Sequence, residues 1–480
     1  ELIAVSVRPD RAAFVPRSSG ELRLVYRLVR ARESGERVSP LPLTLALEYA
    51  LPEERDSLAS FVVPEELSGA ALARHLTRAG GALAPERLRQ LELRHRLTVN
   101  LQLVRWPSGV RPDLGGHAEY RLRSFDFTAR GYTTGALENT PDVPRLQAEP
   151  ALRRELLAWI RDPERWVEVD QGTLLLPTRF LATASSSFSP RGLARLANRP
   201  FSQLYTAADF QGLPFARGTH VKSPEGLLRR LDSLTCAGCH QARSVAGFHL
   251  LGAATPEDLA GNTLQRAASP HTGADLSRRE RVFRTRLGND RVDYSLPFPE
   301  RGSIAEGGYG DHCGVGDPSF AGWLCRPDLV CTQVDEAIVG QCLPRRTGSA
   351  GDPCETGTLT RQANPVRDRI AERTRARCGP NAVCNRGAVG FPAGMCTESC
   401  ADLSQGARCG AIAVLDPFNA CLARKEAFAT CLGRHSTPAG LRACDADDNC
   451  RDDYVCAALQ GGGVCIPPYF LFQLRVDGHE

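Results

Sequence analysis

The sequence predicts an α+β, multidomain protein built from three consecutive segments of unlike character: a β-sandwich-like domain over residues 1–140, a mainly helical segment over 141–305 and small disulfide-rich modules over 306–480. Three observations carry this division. Apolar and polar residues alternate at period two in the first segment, and apolar residues recur at helical spacing in the second. Sixteen of the eighteen cysteines fall between Cys313 and Cys465, in the third. A chain of 480 residues is also longer than one hydrophobic core usually serves.

In the first segment the alternation runs over Leu22 to Val29, Leu43 to Tyr49, Leu97 to Val104 and Ala118 to Phe127, punctuated by Gly, Pro and Ser. These read as strands of a sandwich, with one helical insertion around Ala70 to His95 and a scaffold or docking role. Trp106 at a strand end reads as core packing.

The second segment changes period after Pro144. Leu152, Leu156, Trp159 and Ile160 share one helical face, and Ser189-Pro190 precedes the Leu193, Leu196 pair. Ser223-Pro224-Glu225 supplies an N-cap, a proline at the first helical position and an acid in the first turn. Leu227, Leu228, Leu231 and Leu234 stripe that helix, which is expected to run straight into Thr235-Cys236. Thr255-Pro256-Glu257-Asp258 marks a further start.

The third segment repeats a template. Cys325 to Cys331, Cys378 to Cys384 and Cys450 to Cys456 each enclose five residues; each pair follows another cysteine (Cys313, Cys354, Cys444) and precedes a Gly-x-Cys (Cys342, Cys396, Cys465). Cys400, Cys409, Cys421 and Cys431 lie between the second and third copies, where Asp416 to Leu432 reads as a helix. Zinc spacing is absent, so disulfides are the expected bonds, restraining modules too small to be stabilised by a core. Four cysteines allow three pairings, and spacing does not choose among them. The copies resemble short cysteine-rich repeats of secreted proteins, of Dickkopf or EGF-like spacing, which implies extracellular binding or armour.

Composition narrows the function. A formal charge of +4 with no basic cluster interleaved with aromatics excludes nucleic acid as an expected partner, and no apolar run reaches the roughly 20 residues of a membrane helix. All but two of the 59 basic residues are arginine, consistent with a GC-rich genome, so lysine chemistry would fall to Lys222 or Lys425. The cysteine density points to an oxidising compartment: secreted, periplasmic or cell-surface. The chain opens at Glu1 with neither methionine nor a leader, as after signal-peptide removal. Motifs for nucleotide binding and the common hydrolases are missing, and Asp445-Ala446-Asp447-Asp448-Asn449 lacks the glycine a calcium loop needs, since Cys450 stands there.

The remaining two cysteines carry the chemistry. Cys236-Ala237-Gly238-Cys239-His240 places two thiols two residues apart with an imidazole directly after them. That spacing bonds both vinyl groups of a haem and seats histidine on the iron, so the motif resembles that of c-type cytochromes. The resemblance covers these five residues and the helix before them. It implies one covalent haem c, with Cys236 and Cys239 on the porphyrin and His240 as proximal ligand.

The distal ligand departs from the His/Met pattern, because the single methionine, Met395, sits beside Cys396 in a disulfide module. His249, in Ala246-Gly247-Phe248-His249, is the candidate, with His117 and His271 as alternatives; bis-histidine ligation lowers the potential relative to His/Met. The expected function is electron transfer by an exported monohaem protein with a redox or surface protein partner. Two alternatives stay open. One is a secreted binding or structural protein in which Cys236 and Cys239 close a plain disulfide. The other is a peroxidase-like enzyme with an open sixth position near Arg243 or a histidine.

Overall fold

Strand alternation in the first segment produces one antiparallel sheet. The computed structural model describes residues 1–14, 17–31, 37–53, 55–67, 69–91, 96–104, 118–186, 199–236, 276–298, 306–307, 312–327, 329–332, 338–344, 359–360, 369–370, 382–385, 395–398, 443–444, 455–459 and 462–466. Strands β1 (Leu2–Arg8), β2 (Ser18–Ala31), β3 (Arg37–Pro52), β4 (Arg96–Val104), β5 (Ala118–Thr128) and β6 (Gly131–Gly135) lie in sequence order, each antiparallel to the next. The four expected strand runs fall inside β2 to β5. β7 (Ala184–Ser186) arrives from the helical segment and pairs with Arg121–Arg123 of β5, beyond the stretch that pairs with β6.

The expected sandwich is therefore corrected to a single seven-stranded sheet with no second sheet packed on it among the described residues. Alternation reports that a sheet has two unlike faces. It does not report what covers them. Leu22, Leu24, Tyr49 and Leu51 form the apolar face, and Leu58, Leu76, Leu88 and Leu91 cover it from α1 (Arg55–Ala59), α2 (Gly69–Thr77) and α3 (Pro85–Leu91). The last two helices are the expected insertion. The other face is polar in register: Arg23, Glu48, Arg96 and Asp126 stand opposite one another across four strands, as do Ala46, Thr98 and Ser124 across three.

The helical segment has its own core. α4 (Val143–Ala148), α5 (Pro150–Ile160), α6 (Trp166–Gln171) and α7 (Pro224–Leu234) gather Leu156, Ile160, Trp166, Phe201, Leu227 and Leu231 around Phe180 and Phe210. α8 (Leu276–Gly288) returns to the sheet, where Phe283 and Leu287 join the apolar face. No helix among the described residues is long and apolar enough to cross a membrane.

The first cysteine module is seated on that helical core. Its strands are β8 (Glu306–Gly307), β9 (His312–Gly314), β10 (Leu324–Cys325), β11 (Leu329–Thr332) and β12 (Val339–Pro344). Phe320 is fully buried against Phe298 and Trp323, with ring centroids 4.8 and 4.6 Å away. An anchor of that kind is worth about 2–3 kcal/mol of burial. Cys313–Cys331 and Cys325–Cys342 are disulfides, as expected for this copy. The sulfurs of Cys313, Cys325 and Cys342 lie within 4.8 Å of one another because two bridges stack, and oxidised sulfur lacks the thiolate a metal needs.

The same module completes the start of α7. Ser223 caps the helix by accepting from the Gly226 amide at 2.8 Å, and its hydroxyl donates to Asp317 at 2.6 Å. Ser319 accepts from the Lys222 amide at 2.9 Å. A side chain at Gly226 would collide with the Ser319 hydroxyl, so glycine is what lets helix and module touch. Beyond residue 344 the described backbone consists of short strands: β13 (Leu359–Thr360) with β14 (Arg369–Ile370), β15 (Ala382–Asn385) with β16 (Met395–Glu398), and a three-stranded group of β17 (Ala443–Cys444), β18 (Val455–Leu459) and β19 (Gly462–Ile466).

Candidate functional site

The expected haem motif begins at the end of α7, and that end is held from several sides. The buried Asp170 carboxylate on α6 accepts from the amides of Thr219, His220 and Val221, all at 2.8 Å, fixing the chain just before the cap. Arg230, fully buried on α7, donates to the Asp170 carbonyl oxygen at 3.1 Å and lies 4.2 Å over the Phe298 ring. Cation and ring thus attract in a desolvated setting, an arrangement worth ~1–2 kcal/mol.

Asp232, also buried, accepts from the amides of Phe201 and Ser202 and from the Ser202 hydroxyl. Burial is the largest influence on its carboxyl and raises it, against the lowering effect of the Ser202 hydroxyl bond and Arg199, to about 6. A carboxyl raised on folding contributes stability that is present below its ordinary range and lost as pH rises through 6. Between pH 4 and pH 7 the protein is therefore expected to lose about 2–3 kcal/mol more than Asp232→Asn, because each tenfold change in proton affinity on folding is worth ~1.4 kcal/mol. Urea unfolding across that range tests this, and parallel curves for the two proteins would refute it.

The leucine stripe implies a helix that runs into the motif. Instead α7 stops at Leu234 and Thr235 is extended, its hydroxyl donating to the Asp232 carbonyl at 2.7 Å. Threonine satisfies a helix-end carbonyl with its own side chain, which competes with continuing the helix. Cys236 follows this break. Its amide donates to the Thr140 hydroxyl at 3.0 Å, its thiol sits 3.5 Å from the Glu138 carbonyl oxygen, and it packs on Leu122 and Leu137.

Cys236 forms part of the wall of a cavity of about 220 Å³ between the polar face of the sheet and the ends of both segments. Arg8 and Arg278 flank Asp10 at 2.8 and 3.0 Å. Arg11 bridges Glu21 and Glu138, and Arg23 also reaches Glu21 at 2.8 Å. Arg96 meets Asp126 at 2.7 Å, and Thr98 donates to Glu48 at 2.9 Å. Burial alone would raise Asp10 and Glu21, but the guanidiniums outweigh it: Arg8, Arg278 and Arg279 hold Asp10 well below the carboxylate range, and Arg23, Arg11 and Arg8 bring Glu21 to about 2. Burial likewise acts to lower Arg11, and Glu138 and Glu21 more than reverse it. These charges balance one another.

At the floor of the cavity the balance fails. Asn100 and Ser124, 4% and 2% exposed, line it from β4 and β5. Among the described residues neither side-chain amide atom of Asn100 nor the Ser124 hydroxyl has a hydrogen-bond partner. Buried polar atoms left in that state cost about 1–3 kcal/mol each, so this pocket suits a guest that hydrogen-bonds, water included.

No family model, curated protein or solved structure matches the chain.

The site is thus read from its own residues. Among the expected haem residues only Cys236 is described; Cys239, His240, the distal candidates His249, His117 and His271, and Arg243 lie outside the described residues, as do Trp106 and the acidic turn at Asp445. The cavity was not foreseen from the sequence. Its charged residues come from strands and turns as far apart as Arg11 and Glu138, and they pair only once the sheet is assembled. The available signal was charge alternating with apolar residues in β2, at Glu21 and Arg23.

Proposed function

We propose that this protein is an exported monohaem c-type protein that transfers electrons at or outside the cell envelope. Cys236 and Cys239 hold the porphyrin through thioethers, His240 is the proximal ligand, and His249 is the first choice for the distal one, with His117 and His271 behind it. The observation that carries the reading is the position of Cys236: after a capped and clamped helix, at the wall of a cavity that charged residues help to line. A bound haem would supply one-electron chemistry, which needs no substrate-activating side chain, and none of the common catalytic motifs is present in the sequence.

The fit is partial and specific. Drug-sized ligands occupy pockets of roughly 300–1,000 Å³, so a cavity of about 220 Å³ takes one edge of a macrocycle and leaves the rest to residues beyond 236. The donors of Asn100 and Ser124 suit a carboxylate edge. The two disulfides of the first module support an oxidising compartment, where haem attachment of this kind also takes place.

The same disulfides favour a second reading. A chain that oxidises cysteines so readily could close Cys236 on Cys239, leaving a haem-free surface protein that binds through its modules. Protein matured in a host competent for cytochrome c assembly separates the two. The first reading expects a reduced α-band and a mass above the polypeptide by one haem. A colourless protein with the mass of its oxidised polypeptide would overturn it. Cyanide binding to the ferric form would move the reading to an open, peroxidase-like iron, because bis-histidine ligation leaves no free position.

A further inference from the structure

Backbone register identifies the disulfides of the third cysteine copy. In the first copy β12 is the middle strand of three, between β11 and β9. Cys331 on β11 stands opposite Cys342 on β12, and Cys313 on β9 stands opposite Gly340, two residues before Cys342. The directly opposed pair does not bond. Cys313 bonds Cys331, joining the two outer strands across β12, and Cys325 bonds Cys342. The residue that the outer bridge must cross is Gly340, which is buried and has no side chain to obstruct it.

The third copy repeats the three-stranded part of this arrangement, and Cys450, the counterpart of Cys325, lies outside the described residues. β19 is the middle strand, between β17 and β18. Cys456 stands opposite Cys465, and Cys444 stands opposite Gly463, again two residues before the last cysteine. Ala443 opposite Val464 matches His312 opposite Gln341, so the register agrees along the whole overlap. In the second copy Cys384 stands opposite Cys396, and no third strand pairs with that hairpin among the described residues. Spacing leaves three pairings open for each copy, whereas the shared register and the shared crossing glycine favour one.

We infer that the third copy is bridged Cys444 to Cys456 and Cys450 to Cys465, in the crossed pattern of the first. Each bond forms when two thiols release two protons and two electrons to a disulfide-bearing exchange protein, which leaves as its dithiol. This rests on the strand register of Cys444, Cys456 and Cys465, with Cys450 assigned by the shared cysteine template, and is independent of whether a haem is present.

Peptide mapping of the full chain, with thiols blocked in acid and no reductant, tests it. Cleavage at Asp447 separates Cys444 from Cys450, cleavage after Arg451 separates Cys450 from Cys456, and cleavage after Leu459 separates Cys456 from Cys465. The expected products are two cross-linked pairs, Cys444 with Cys456 and Cys450 with Cys465, each splitting on reduction with a gain of two hydrogens. A bond between Cys456 and Cys465, one between Cys444 and Cys450, a bond leaving the copy, or four blocked thiols would each overturn it. The Cys444→Ser, Cys456→Ser double variant is expected to keep the Cys450 to Cys465 pair intact. Scrambling of that pair would also count against the assignment.

Discussion

Cys236→Ser combined with Cys239→Ser is expected to remove covalent haem completely, seen as loss of haem-dependent peroxidase staining after denaturing electrophoresis. Each thioether needs sulfur at its own position, and an oxygen of similar size forms none under the same conditions. The rest of the fold should persist, because Cys236 packs against Leu122 and Leu137 and its amide donates to Thr140, a bond that serine retains. Either single variant should keep one thioether and some stain. His240→Ala should keep the stain while changing the ligand-field spectrum. Haem that survives denaturation in the double variant would place the attachment elsewhere and end this assignment.

The second large effect is expected away from the motif. Asp170→Ala removes the acceptor for three amides, and the one at Val221 is fully enclosed. Charge-assisted bonds of this kind contribute about 1.5–3 kcal/mol each, and part of the loss is recovered where water reaches Thr219 and His220, so a total of about 3–5 kcal/mol is expected. Asp170→Asn, which keeps one acceptor oxygen, should fall between the parent protein and the alanine variant. Urea unfolding at pH 7 measures it, and a change under about 1 kcal/mol, the worth of one ordinary hydrogen bond, would mean that the segment before α7 is held by something else. Because that segment sets the start of α7, the alanine variant should also impair haem incorporation.

Much of the scaffold was legible because local rules and tertiary packing agree there. Period-two alternation located β2 to β5. Ser223, Pro224 and the leucine stripe located α7, since a cap, a fixed φ and one apolar face all specify the same helix. The sandwich was not legible. Alternation in Leu22 to Val29 shows that alternate residues face opposite ways, and both a second sheet and a helical cover satisfy it. Thr235 ended the helix earlier than the leucine stripe implied, since a hydroxyl that satisfies a nearby carbonyl leaves no periodicity to read. The cavity was hidden for a different reason. Arg11, Glu21 and Glu138 look like ordinary surface charges until the sheet brings them together, and pairing at that sequence distance has no local signature. The Cys-x-x-Cys-His spacing from Cys236 to His240 is a sequence reading, since Cys239 and His240 lie outside the described residues.

The cap shared between Ser223, Asp317 and Ser319 also imposes an order in time. A chain synthesised from its N-terminus releases Cys236 about eighty residues before Asp317, so the thiols emerge while the helix leading to them still lacks its final partners. Docking of the first cysteine module therefore completes the cap of α7 from residues 94 and 96 positions further along the chain.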